Sequence, residues 1–147
     1  MTFEVSASRE VMYEMFAVNN KVFKGGDRTL KEVEMWEDNG DHWIVRHRYA
    51  VGFAFFKDWT DMVLEFNAIP GLEYDEVSWH LYRSMDGKIL ATNGHYRIYE
   101  GEQGGAEVHY WSRTEYASRR PVVAFALRNF SESLLKATFR RMVETLE

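Results

Sequence analysis

From residue 28 onward the chain changes period. Apolar and aromatic side chains recur at every second position in six successive runs, roughly 28–37, 41–55, 60–68, 74–84, 88–100 and 106–117. The separators are DNG, KDW, IPGLE, MDG and GEQGG, all short and rich in turn formers. Period two marks a strand with one buried face, and connections this short join antiparallel neighbours. The pattern predicts a six-stranded meander, and TFEVSA near the N-terminus alternates in the same way and adds a seventh strand. A sheet of that size needs something to cover its apolar face.

The remaining segments offer helices. Ser6 or Ser8 is placed to cap a helix whose Val11, Met12, Met15 and Phe16 fall at helical spacing. AVNNKVFKGG reads as a second short helix stopped by Gly25 and Gly26. The longest helical segment is C-terminal, RPVVAFALRNFSESLLKATFRRMVETLE, with Pro121 in its first turn and Val123, Leu127, Phe130, Leu134, Met142 and Leu146 in one stripe. No linker or repeat interrupts the 147 residues. The expected fold is α+β and a single domain over 1–147: a seven-stranded curved antiparallel sheet wrapped around a long C-terminal helix, with two short helices after the first strand.

Because side chains alternate faces, parity gives the inner surface. A turn at Lys57-Asp58 sets Phe53 opposite Met62, Val51 opposite Leu64 and Tyr49 opposite Phe66. The next turns set Leu64 beside Trp79, Met62 beside Leu81, Leu81 beside Thr92 and Trp79 beside Gly94. The last sets Gly94 beside Tyr110 and Thr92 beside Ser112. Outside, Arg97 is expected to oppose Glu107 and His95 to oppose His109, as surface pairs. At EDNGD two registers compete. One turns Glu32 and Glu34 inward; the other, with a bulge at Gly40, turns Val33 and Met35 inward beside Val45 and Trp43. The second is favoured, since two unpaired buried carboxylates cost far more than a bulge.

Gly94 breaks the pattern of LATNGHYRIYEG. Glycine within a strand costs about 0.5–1 kcal/mol relative to alanine and marks a bend or a close approach. Between Trp79 and a ring of the last strand, it gives room for two large side chains or for a ligand.

The element order, the closing helix and GKILATNGHYRIYEGEQGGAEVHYWSRTEY resemble the START-like, helix-grip superfamily (SRPBCC), and within it the polyketide cyclase/dehydrase and coenzyme-Q-binding branch. Gly94, Tyr96 and Gly104-Gly105 match its penultimate strand and glycine-rich turn, and SASREVMYEMF resembles its entry from first strand to helix. The resemblance implies an apolar cavity between sheet and last helix that takes lipids, quinones, polyketides or other hydrophobic molecules. Members range from carriers to cyclases and hydrolases.

Composition narrows the chemistry. With no cysteine, disulfides and thiolate metal sites are excluded. A net charge of −5 argues against nucleic acid as partner. No run is long enough for a membrane span, and MTFEVSASRE lacks the basic and apolar regions of a signal peptide, so a cytoplasmic protein is expected. That leaves room for transient membrane contact and for a homodimer. Of five histidines only His47 points inward by parity, and none has the spacing of a metalloprotease motif, so neither metal nor cofactor is expected. His47 is a candidate general base or orienter of a ligand carbonyl, with Tyr49 as its acid–base companion. Ser112 and Thr92 suit polar contacts to a ligand better than nucleophilic attack, because no strained elbow surrounds Ser112.

The candidate ligand-binding set is therefore Trp43, His47, Tyr49, Phe66, Trp79, Thr92, Gly94, Tyr96, Tyr110 and Ser112 from the sheet, with Leu127, Phe130 and Leu134 from the last helix. GGDRT and NAIPGL are expected at the mouth, and Arg119, Arg120, Arg128, Arg140 and Arg141 on a solvated basic surface. Three functions compete: binding of a hydrophobic small molecule, a cyclase, dehydratase or hydrolase using His47 and Tyr49 in the same cavity, and an interaction module whose cavity has collapsed.

Overall fold

A computed structural model describes residues 1–19, 21, 30–53 and 56–117. The predicted second helix and the GGDRT loop fall largely outside these residues. The predicted C-terminal helix, with its apolar stripe and its arginines, lies wholly outside them.

Seven strands form one antiparallel sheet. They are β1 (Thr2–Val5), β2 (Leu30–Asp38), β3 (His42–Phe53), β4 (Phe56–Ile69), β5 (Tyr74–Ser84), β6 (Ile89–Glu100) and β7 (Ala106–Tyr116). The order across the sheet is β1-β7-β6-β5-β4-β3-β2, so the predicted meander is present and β1 adds to its far edge. Helix α1 (Arg9–Asn19) follows β1. It absorbs the first residues assigned by sequence to a second helix. Ser8 is its cap: the Ser8 hydroxyl accepts from the Val11 amide at 3.4 Å, and the Ser8 carbonyl accepts from that of Met12 at 3.0 Å.

α1 packs on β5, β6 and β7 and so defines the inner face of the sheet. Met12 and Phe16 are buried completely. They join Val77, Ile98, Ala106 and Val108 in the core at this end. Arg9, at the start of α1, fixes the helix to the β4–β5 turn. Its guanidinium donates to Asp75 Oδ2 at 2.7 Å and Oδ1 at 2.9 Å, and to the carbonyls of Gly71, Leu72 and Glu73. Asp75 also accepts from the Gly71 amide at 3.0 Å.

Strand faces agree with parity, whereas most registers differ. Trp43 lies opposite Phe66, Val45 opposite Leu64 and His47 opposite Met62, a shift of six positions from the pairing expected for a Lys57-Asp58 turn. Lys57 and Asp58 are ladder residues, and the strands run on to Phe53 and from Phe56. β4 and β5 place Phe66 opposite Trp79 and Leu64 opposite Leu81, with a bulge on β5 at Tyr82, between Leu81 and Arg83. β6 and β7 place Gly94 opposite Ser112 and Thr92 opposite Thr114. Between β5 and β6 Trp79 faces Gly94, as expected. For the inner-face pairs just named the shifts are even, and an even shift leaves a side chain on its own face, so alternation alone is blind to it.

In the first hairpin Val33 lies opposite His47 and Met35 opposite Val45, not Val45 and Trp43. The irregularities fall between Leu30 and Glu32 and between Met35 and Glu37, away from Gly40. Gly40 instead takes φ +79° in the turn. Glu32 and Glu34 face outward, paired with Arg48 at 2.7 Å and Arg46 at 3.4 Å. The two expected outer pairs are also replaced. Arg97 donates to Glu76 at 2.7 Å, and His95 lies on Trp111 with ring centroids 5.7 Å apart.

Candidate functional site

The ladder registers align one large ring per strand across the inner face. Trp43 on β3 lies parallel to Phe66 on β4, centroids 5.2 Å apart and planes 2° apart. Phe66 meets Trp79 on β5 at 6.1 Å, Trp79 meets Tyr96 on β6 at 5.2 Å, and Tyr96 meets Tyr110 on β7 at 5.3 Å. Phe16 of α1 closes on this band from above, stacked on Tyr96 at 4.0 Å and 10°. Trp43 and Phe66 are buried, and Trp79, Tyr96 and Tyr110 are partly so.

Polar groups on this face occur as neighbours on one strand or across one ladder step. His47 Nδ1 lies 3.0 Å from the Tyr49 hydroxyl, two residues along β3. The Tyr110 hydroxyl donates to Ser112 Oγ at 2.7 Å, two residues along β7. Thr92 Oγ1 and Thr114 Oγ1 are 2.8 Å apart across the β6–β7 ladder. His47 and Thr92 are buried, Tyr49 is partly so, and Ser112 is exposed. Burial raises the pKa of Tyr110 above its ordinary value, partly offset by the bond to Ser112, so its hydroxyl stays protonated at neutral pH. Burial also raises Tyr116.

The structure therefore brings together on one face all ten sheet residues expected from parity. Thr92 and Ser112, expected as partners, are instead bonded to Thr114 and Tyr110 respectively. Leu127, Phe130 and Leu134 lie outside the described residues. The other histidines point away: His42 Nε2 and His80 Nε2 lie 2.6 and 2.7 Å from the two Glu65 oxygens on the outer face, and His109 bonds Glu107. Among the described residues no three His, Asp or Glu side chains are placed to hold a metal ion. None of their helices is long and apolar enough to cross a membrane.

Sequence reasoning missed Phe16 as a member of the ring band, Thr114 as the partner of Thr92, and the Arg9–Asp75 tie. Thr114 has the parity of the inner face and was hidden by the two-residue register shift. Nothing local in the sequence connects Arg9 to a turn more than sixty residues away.

No protein-family model matches the chain, and no curated protein matches it. Solved structures do. A START superfamily protein from Mycobacterium smegmatis superposes with a TM-score of 0.76 at 12% identity, over 100% of this chain and 97% of that one. The Zhui aromatase/cyclase from Streptomyces sp. R1128 gives 0.76 at 10% identity, over 100% and 93%. A STAR-related lipid transfer protein from Xanthomonas axonopodis gives 0.75 at 13% identity, over 96% and 82%. The fold is START-like. The ring band and its three polar pairs occupy the sheet face on which α1 packs over β5, β6 and β7. Identities this low carry the architecture and leave the chemistry to the side chains.

Proposed function

We propose that the inner face binds a hydrophobic small molecule of lipid, quinone or polyketide-like character. The observation that carries this reading is the continuous band Trp43–Phe66–Trp79–Tyr96–Tyr110, edged by hydroxyls already supplied with partners. Apolar walls with a few placed polar groups are the usual make-up of a small-molecule site. The START superfamily and lipid-transfer neighbours support the same reading. Titration with the fluorescent apolar probe N-phenyl-1-naphthylamine tests it. Saturable binding at one probe per chain, competed by oleate or a short-chain quinone and weakened by Trp79→Ala, is expected. Absence of saturable binding overturns it.

A second reading has an observation of its own. The 3.0 Å contact between His47 Nδ1 and the Tyr49 hydroxyl is a pair able to pass a proton, which a cyclase or dehydratase would use. The aromatase/cyclase neighbour supports it. Mass spectrometry of bound poly-β-ketone mimics distinguishes the two. A carrier returns them unchanged, whereas an enzyme converts them and His47→Gln abolishes the conversion.

A further inference from the structure

Trp43 carries a buried donor on the inner face that no described residue answers. Its side chain is completely buried, and its Nε1–H has no hydrogen-bond partner among the described residues. Buried donors are almost always paired, and an exception calls for a reason. His47, Tyr49, Tyr110, Ser112, Thr92 and Thr114 on the same face lie in the three pairs given above. Ser84 Oγ is also buried without a partner among the described residues. A hydroxyl can turn to suit its surroundings, however, while an indole N–H points only where its ring points.

The ring is held. Phe66 lies parallel to it at 5.2 Å, and the Lys21 ammonium sits over it, 4.8 Å from the centroid. Lys21 is itself anchored, donating to Asp38 Oδ1 at 2.9 Å and to the Gly40 carbonyl at 2.8 Å. The donor is therefore oriented before anything arrives, the arrangement that recognises an acceptor at least entropic cost. Phenylalanine would keep the stack on Phe66 and bury no orphan. Tryptophan here makes physical sense if an acceptor comes from beyond the described residues.

We infer that Trp43 Nε1–H reads a neutral carbonyl oxygen on the bound molecule. This rests on the proposed binding of a hydrophobic ligand and narrows it to apolar ketones, quinones or esters, as against hydrocarbons and fatty acids. A carboxylate is disfavoured because the cation described over Trp43, Lys21, is engaged by Asp38. A charge buried beside Trp43 without a counter-ion is costly.

The test uses the intact protein, ¹⁵N-labelled at its five tryptophan indoles, with 2-acetylnaphthalene, 2-ethylnaphthalene and 2-naphthoate as probes of one shape. The ketone is expected to bind and to move the Trp43 indole proton downfield, while the hydrocarbon binds and leaves that proton's hydrogen bonding unchanged. Trp43→Phe should weaken the ketone about five- to tenfold and leave the hydrocarbon within about twofold. The naphthoate should bind at least about tenfold more weakly than the ketone. Should Trp43→Phe fail to fold, substitution of the other four tryptophans in turn assigns the Trp43 resonance by elimination, and the wild-type spectra decide. Ketone and hydrocarbon bound with the Trp43 proton equally unmoved overturns this inference alone. Naphthoate bound more tightly than the ketone overturns the choice of a neutral oxygen. Failure of all three to bind overturns the hydrophobic-ligand reading together with it.

Discussion

Trp79 on β5 and Tyr110 on β7 stack with centroids 5.9 Å apart and planes 27° apart, although β6 runs between their strands. Two strand spacings amount to roughly 10 Å, so the rings must lean toward each other over the β6 backbone. Gly94 is the residue beneath. A Cβ there would collide with Trp79 Cζ2, lie 2.5 Å from the Trp111 carbonyl oxygen and 2.9 Å from Ser112 Cβ. Gly94→Ala should therefore destabilise the protein by about 1–3 kcal/mol, because the Trp111 carbonyl is backbone and has nowhere to go. Urea unfolding checks this; an unchanged midpoint would contradict it.

The Thr92–Thr114 bond predicts a non-additive pair. Thr92→Val leaves the Thr114 hydroxyl without this partner, and Thr114→Val does the reverse, each costing about 1 kcal/mol. The double variant should lose less than the sum of the two. Additive losses in a double-mutant cycle would show that the 2.8 Å contact contributes nothing.

Asp75→Asn should be the most damaging of these changes. It strips the charge from a mostly buried carboxylate and leaves the Arg9 guanidinium, itself 13% exposed, without its counter-ion. Removing one member of a buried pair costs about 3 kcal/mol or more. Hydrogen exchange should also quicken at Gly71–Glu73, whose carbonyls Arg9 holds. Exchange at that turn equal to wild type would refute the tie.

Acid should unfold the protein through the same groups. The Arg9 hydrogen bonds hold the Asp75 carboxyl below its ordinary 3.8, against the opposing effect of burial. Arg46 does the same for Asp61, and His42, then His80, hold Glu65 below its ordinary 4.5. A lowered folded pKa means that the folded chain binds fewer protons than the unfolded one. The stabilisation is therefore complete above the ordinary carboxylate values and is lost as pH falls through the lowered ones. Urea midpoints should fall as pH drops through the carboxylate range, and Asp75→Asn should make that fall shallower. A midpoint that rises on acidification would contradict the sign.

Alternation made the faces legible: Trp43, His47, Phe66, Trp79 and Tyr96 all point where odd and even numbering puts them. The β5–β6 register was legible too, because the MDG turn fixes it, with Gly87 at φ +70°. Elsewhere the turn signals misled. Lys57-Asp58 looks like a turn and lies in a ladder, and the bulges of β2 and β5 have no local mark. Polar contacts suffered most, since a two-residue slip exchanges Ser112 for Thr114 opposite Thr92 without moving either off the inner face. His47 and Tyr49 escaped this, because two positions on one strand stay neighbours in any register.

The edge pairing of β1 with β7 has a consequence for synthesis. Val5 faces Ala106 and Thr2 faces His109, so the first strand made completes its ladder with the last of the sheet. At about 5–20 residues per second, roughly a hundred residues of translation take about 5–20 s. During that interval the nascent TFEV segment has an open edge, and a chaperone or a neighbouring chain on the same message has time to reach it before β7 does.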